Sequence, residues 1–275
     1  MNTKNNTISM RLHAALFFTG FVCALPLQAR AAILFSDTFD SETVATIAGR
    51  SPSGENLLGV QWQTFGLSSL VVRTTTASTV STTYNADAFI DIQGRDSGIK
   101  NLTISADLKL ASMDTSGGVT QGIGLGFYQT ARSQGQDPKV HFRGFVLNAS
   151  GTLSLISVTS GGSATTYATA AWSNPSAFDT SSFYTLTYTI NTTTGGVANV
   201  SLGGIDLTSA FSSVTGVFTN DLIKYAAFYG KSATAQTGYL DNFSLSTSAI
   251  PEPGTSAFIG GIGAALACIF MRRLR

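Results

Sequence analysis

Phe183-Tyr184-Thr185-Leu186-Thr187-Tyr188-Thr189-Ile190-Asn191 decides how this chain folds. Tyr184, Leu186, Tyr188 and Ile190 occupy every second position, and Thr185, Thr187 and Thr189 stand between them. Side chains alternate across a strand but repeat about every 3.6 residues around a helix. The stretch is therefore a strand with one buried and one wet face. Turn residues follow at 192–196, and 197–202 resumes with Val197, Val200 and Leu202, which makes a hairpin. Further out, Leu102, Ile104, Ala106, Leu108 and Leu110 face one way, while Thr103, Ser105, Asp107 and Lys109 face the other. A second hairpin runs from 145–148 through Ala149-Ser150-Gly151 to 152–156.

Strand-like runs also cover 122–129, 140–148, 152–159 and 238–245, the last closing the domain. Between residues 33 and 246 no long stretch has helical periodicity with a polar face. More than ten short strands without cysteine predict an all-β body, a two-sheet antiparallel jelly-roll sandwich.

Composition narrows the function. Charged residues are 11% of the 275, against about 25% in an average soluble domain. Six of the sixteen basic residues sit at the two ends: Lys4, Arg11 and Arg30, then Arg272, Arg273 and Arg275. Residues 32–250 hold the other ten against fourteen acids, a formal charge of −4. A mildly acidic body has no electrostatic footprint for phosphate backbones, which excludes nucleic acid as a partner. The two cysteines, Cys23 and Cys268, both fall in apolar end segments, so the body folds without a disulfide.

The ends read as targeting signals. Lys4 and Arg11 precede a short apolar stretch, and Ala29-Arg30-Ala31 places small residues where a signal peptidase cuts. Residues 1–31 are thus expected to be a cleaved leader. At the other end Pro251-Glu252-Pro253 is followed by an uncharged run over 255–271 and by Arg272-Arg273-Leu274-Arg275. Seventeen uncharged residues reach the lower limit for a helical span. The three arginines would hold that end in the cytoplasm.

This tail resembles the PEP-CTERM sorting signal of exosortase substrates in Gram-negative bacteria. The resemblance implies that Pro251, Glu252 and Pro253 are the recognition motif. It further implies that 255–271 is a transient membrane anchor, and that an exosortase-type protease is the processing partner. The protein would cross the inner membrane, remain anchored until processed, and end at the cell surface or outside. The body, 32–248, resembles concanavalin A-like and laminin-G-like sandwiches. Leu34 to Phe39 is similar to their first strand, Phe183 to Tyr188 to their central strand, and Tyr239 to Leu245 to the closing strand beside the first. Residues 249–275 form the sorting signal.

Catalytic chemistry is sparse. Retaining glycosidases need two carboxyl groups about 5–5.5 Å apart, yet the body's only glutamates, Glu42 and Glu55, lie in a polar stretch before Trp62. Asp87 and Asp91 flank a short strand and read as turn or solvent-face residues. His141, the body's one histidine, shares a strand face with Arg143, expected to be the solvated face. One histidine and no cysteine do not make a zinc site. No cofactor is expected, although backbone carbonyls and aspartates would suffice for calcium. Gly230-Lys231-Ser232 lacks the first glycine of a phosphate loop. Gly122, Gly124 and Gly126 sit in a strand pattern, where glycine permits close packing. Trp62 and Trp172 have the apolar area to stack on a sugar, though core packing is the commoner use.

The leading expectation is a non-catalytic, exported surface or matrix protein that binds carbohydrate or exopolysaccharide. The alternative is a polysaccharide lyase or hydrolase built around His141 and Arg143.

Overall fold

Runs that alternate in the sequence become strands of two antiparallel sheets in a computed structural model of the chain. It describes residues 31–40, 47–64, 71–74, 79–83, 86–93, 99–130, 137, 139–172, 178–234 and 237–247. Glu42, the leader with Ala29, the motif Pro251, Glu252 and Pro253, the apolar run 255–271, and Arg272, Arg273 and Arg275 lie outside these residues. Ala31 stands exposed directly before the first strand. Among the described residues no helix is long and apolar enough to cross a membrane.

In chain order the strands begin with β1 (Ala32–Asp37), β2 (Val71–Thr74), β3 (Thr79–Thr83), β4 (Ala86–Asp91), β5 (Asn101–Lys109), β6 (Gly122–Tyr128) and β7 (Phe142–Leu147). They continue with β8 (Thr152–Val158), β9 (Ala164–Ala171), β10 (Tyr184–Asn191), β11 (Gly196–Leu202), β12 (Ile205–Asp206), β13 (Tyr225–Lys231) and β14 (Thr237–Thr247). A single helical turn, α1 (Thr208–Phe211), precedes β13. The larger sheet has eight strands in the order β12-β11-β10-β5-β14-β3-β2, with β1 also on β14. The smaller has six, β4-β13-β6-β7-β8-β9. Both expected hairpins form, as β7–β8 and β10–β11, and the closing strand β14 pairs with the first.

The larger sheet keeps one wet face. β5 alternates half-buried and buried residues along its whole length. On its polar side hydroxyls pair with those of β10: Thr103 with Thr189 at 2.8 Å, and Ser105 with Thr187 at 2.7 Å. The inward residues Ile104, Leu108, Leu186 and Tyr188 join Leu125, Phe145 and Phe228 of the smaller sheet in one core.

The central strands of the smaller sheet are buried on both faces, so β6 and β7 show no alternation in exposure. Phe89, Tyr128, Phe142, Tyr225 and Tyr229 form a second apolar cluster on its other face. Glycine makes room for them: the Tyr229 ring lies where a Cβ on Gly124 would project, and Gly126 faces Gly144 beneath the Phe142 ring. Phe142 and Tyr229 meet edge to face at 4.7 Å. This cluster corrects the reading of Asp87 as a turn or solvent-face residue. It is 1% exposed, and the Tyr128 hydroxyl donates to its Oδ2 at 3.1 Å.

Candidate functional site

The polar stretch before Trp62 is built into the fold through one carboxylate. Asp37, at the end of β1, is fully buried. Arg50 donates to it with both terminal nitrogens, at 2.9 and 3.0 Å. Trp62 Nε1 donates at 2.7 Å, Ser53 Oγ at 2.9 Å and the Phe39 backbone N–H at 2.9 Å. A buried charge persists only when it is paired and hydrogen-bonded, as this one is. The Trp62 ring lies among Phe35 and Phe243 of the larger sheet and Phe228 of the smaller, with centroids 5.0–5.4 Å away. Trp62 is therefore 0% exposed and has no face for a sugar. Trp172 is half-buried against Phe178 and Tyr184.

With 47–64 anchored in this way, its polar side chains line an open groove of about 700 Å³. Ser51, Asn56, Gln61, Gln63 and Thr64 contribute hydroxyls and amides, and Asp91 at the end of β4 is the one charged group among the described lining residues. Asn56 closes its own turn, exchanging two hydrogen bonds with the Val60 backbone at 2.9 and 3.1 Å. Gln63 holds the segment to β4 by two backbone bonds to Phe89, at 2.8 and 2.9 Å. The Thr64 hydroxyl is buried and has no hydrogen-bond partner within the protein. Sequence reading missed the groove. Its signal was the polar, apolar, polar alternation of Gln61, Trp62 and Gln63, a strand-like pattern at the end of the polar stretch before Trp62.

His141 and Arg143 do not form a solvated pair. His141 stands before β7 in a left-handed backbone conformation, φ 62°. Arg143 is turned inward and is 9% exposed, correcting the expectation of a wet face. It donates to the Val217 carbonyl at 2.9 Å and to Gln129 Oε1 at 3.1 Å, and its Nε has no partner. Burial lowers its pKa. A guanidinium committed in this way cannot turn outward to neutralise a uronate.

The structure does bring two carboxylates together. Asp107 of β5 and Asp241 of β14 are register partners on the wet face of the larger sheet. Burial raises Asp241 to about 6, with Asp40, Asp107 and Asp37 adding repulsion and the Asn242 N–H opposing them. Asp107 is bound on both oxygens, by the Thr185 hydroxyl at 2.5 Å and by the Asn242 amide at 2.7 Å. Neither residue lines the groove. The pair ties three strands together on an open surface. No group of three or more metal-ligating side chains occurs among the described residues.

No known protein-family profile matches the chain, and no curated protein matches it. Among solved structures, a botulinum neurotoxin serotype D binding domain is similar at 10% identity and a TM-score of 0.45, over 83% of this chain and 50% of that one. The binding domain of botulinum neurotoxin DC in complex with SialylT gives 8% and 0.44, over 79% and 50%. A structure from botulinum neurotoxin type C, whose cell entry is dependent upon interaction with two ganglioside molecules, gives 9% and 0.44, over 82% and 52%. The chain thus spans about half the length of the structures it matches. Likeness of this degree carries no argument about ligand or activity.

Proposed function

We propose that this chain is an exported, non-catalytic surface or matrix protein whose sandwich binds a neutral carbohydrate polymer in the groove formed by 47–64 and β4. The observation that carries the reading is the lining: among the described residues it consists of amides and hydroxyls with one carboxylate and no cation. Such a surface suits a ligand that offers hydroxyls and no charge. Binding needs no cofactor. The leader would be removed after Ala31. In the tail Pro251, Glu252 and Pro253 would present the chain to an exosortase-type protease, with 255–271 as the transient anchor in the inner membrane of a Gram-negative cell.

Hydrolysis requires two carboxyl groups across a bound sugar, and the described residues of the groove lining supply one. A lyase site around His141 and Arg143 loses its support with Arg143 bonded to Val217.

Titration against a panel of neutral and uronate polysaccharides tests the binding reading. A single hydrogen bond is worth about 0.5–1.5 kcal/mol net. Gln61→Ala and Gln63→Ala should each weaken binding of a neutral member by about two- to tenfold, following from that range. Binding unaffected by both substitutions overturns the groove assignment. Turnover of any member that is lost in His141→Ala with the fold intact restores the enzyme reading.

A further inference from the structure

The groove opens where a strand pairing stops. Gln63 and Phe89 exchange two backbone hydrogen bonds in an antiparallel bridge. Continued by two residues, that pairing would set Gln61 opposite Asp91. Among the described residues no backbone bond joins those two. Trp62 turns instead to the chain at 49–50. Its N–H donates to the Arg50 carbonyl at 3.0 Å, and its carbonyl accepts from the Gly49 N–H at 2.7 Å. The two chains part there, and Gln61 and Asp91 both line the groove. Gln61 is exposed, and its amide reaches the Ser51 hydroxyl only at 3.5 Å, too long to hold it firmly.

Asp91 keeps hydrogen-bonding capacity to spare. Its Oδ1 accepts the Gln93 backbone N–H at 2.8 Å, and its Oδ2 has no hydrogen-bond partner among the described residues. An ionised carboxylate accepts about four hydrogen bonds. Asp91 joins no described ion pair: Arg50 holds Asp37, and Lys231 holds Asp137. Lys224, just before β13, donates to the Asn220 carbonyl at 2.9 Å. Tyr225 is the register partner of Asp91. Burial and the Asp91 charge raise its pKa against the Gln93 hydrogen bond, so the phenol stays neutral. The charge of Asp91 is therefore left to act on whatever occupies the groove.

We propose that Asp91 is the specificity-determining residue of the groove, accepting hydroxyls of a neutral sugar on Oδ2 and turning away uronates. The proposal rests on the glycan reading of the groove. A carboxylate takes only donors, and hydrogen bonds to a charged acceptor are the strong ones. Every neutral sugar offers such donors. A uronate brings a carboxylate that cannot donate and that repels Asp91. Two like charges about 6 Å apart near a protein surface change an affinity by about three- to hundredfold. No described lining residue is a cation that would offset this.

The test titrates the full chain, in detergent, with each neutral hexose polymer of the panel and with the same polymer oxidised at carbon 6 to its uronate. Wild type should bind the neutral form about tenfold more tightly or better, within that range. Asp91→Asn keeps the side-chain shape and an acceptor for the Gln93 N–H, and should cut the preference to about threefold or less. Gln61→Ala should weaken both forms alike and leave the preference intact. Neutral binding without preference, or a preference that survives in Asp91→Asn, overturns the role of Asp91 and leaves the groove reading standing. Failure of every neutral polymer to bind removes both. Should Asp91→Asn fail to fold, ionic strength decides on the wild type. Raising salt from about 0.01 to 1 M shortens the screening length from about 30 to 3 Å. The oxidised form should then bind more tightly while the neutral form stays level. Oxidised-form binding that does not strengthen with salt rejects the proposal.

Discussion

Asp37 concentrates more of the fold than any other polar residue described. It satisfies Arg50, Ser53, Trp62 and the Phe39 N–H at once, with its own side chain fully out of water. Removing one partner of a buried pair strands the other charge, at a cost of about 3–5 kcal/mol. Asp37→Asn should lower stability by that order, read from urea unfolding, and should loosen the groove segment that Arg50 anchors. Asp241 acts in the opposite sense. Its pKa is raised in the folded state to about 6, from an ordinary 3.8. Its stabilising contribution is therefore complete below about 3.8 and lost as pH rises through about 6. At neutral pH the charged form is held against Asp107, Asp40 and burial. Asp241→Asn should accordingly raise the melting temperature at pH 7 and lose that advantage at pH 4. A variant that is no more stable than wild type at pH 7 removes the repulsion argument.

The two sheets differ in how many faces they bury. β5 and β10 were legible because one face is wet, so apolar and hydroxyl residues had to alternate. β13, Tyr-Ala-Ala-Phe-Tyr-Gly-Lys, is buried on both sides and shows no alternation, which is why it escaped a pattern search. β9 escaped for the reverse reason: its alanines and threonines are too small and polar to mark a core face. The alternating glycines of β6 were legible as close packing, but the ring that fills the space comes from β13. Gly124→Ala would push a methyl into the Tyr229 ring. Overpacking of this kind costs about 1–3 kcal/mol. A thermal melt should show that loss in Gly124→Ala, and smaller losses if Tyr229→Leu is introduced with it. An unchanged melt would mean that the ring moves aside freely.

At the scale of the molecule, the proposed body and tail are separable. Ala32–Ser248 is a compact unit with its own core, while anchoring and processing are expected of residues 249–275. A charge at the middle of a spanning helix costs about 2.5–3.5 kcal/mol on insertion scales. Leu266→Arg should therefore release the chain from the membrane fraction. Pro251→Ala with Glu252→Ala leaves the apolar run intact, so that variant should stay membrane-bound and uncut. Fractionation with intact-mass measurement in the native host distinguishes the two. A mature wild type that still carries Arg275, or normal processing of the double variant, removes the sorting-signal reading.

Local pattern alone was enough to predict an all-β body and both hairpins, because a half-wet strand must alternate wherever it lies, whereas the pairing of last strand with first was implied by the resemblance to concanavalin A-like and laminin-G-like sandwiches. The grouping of side chains depended on folding. Asp37, Arg50 and Trp62 are thirteen and twenty-five residues apart from the first to each of the others, and only the crossing of 47–64 over β1 joins them. Asp107 and Asp241 meet across 134 positions of chain because β5 and β14 are neighbours. Arg143 turned inward because β7 presents that face to the core, where backbone carbonyls such as that of Val217 are available to hold it. Which face a residue takes is local, since it follows from its position along the strand. Which residue it meets there is set by sheet order and register, and these depend on contacts far apart in the chain.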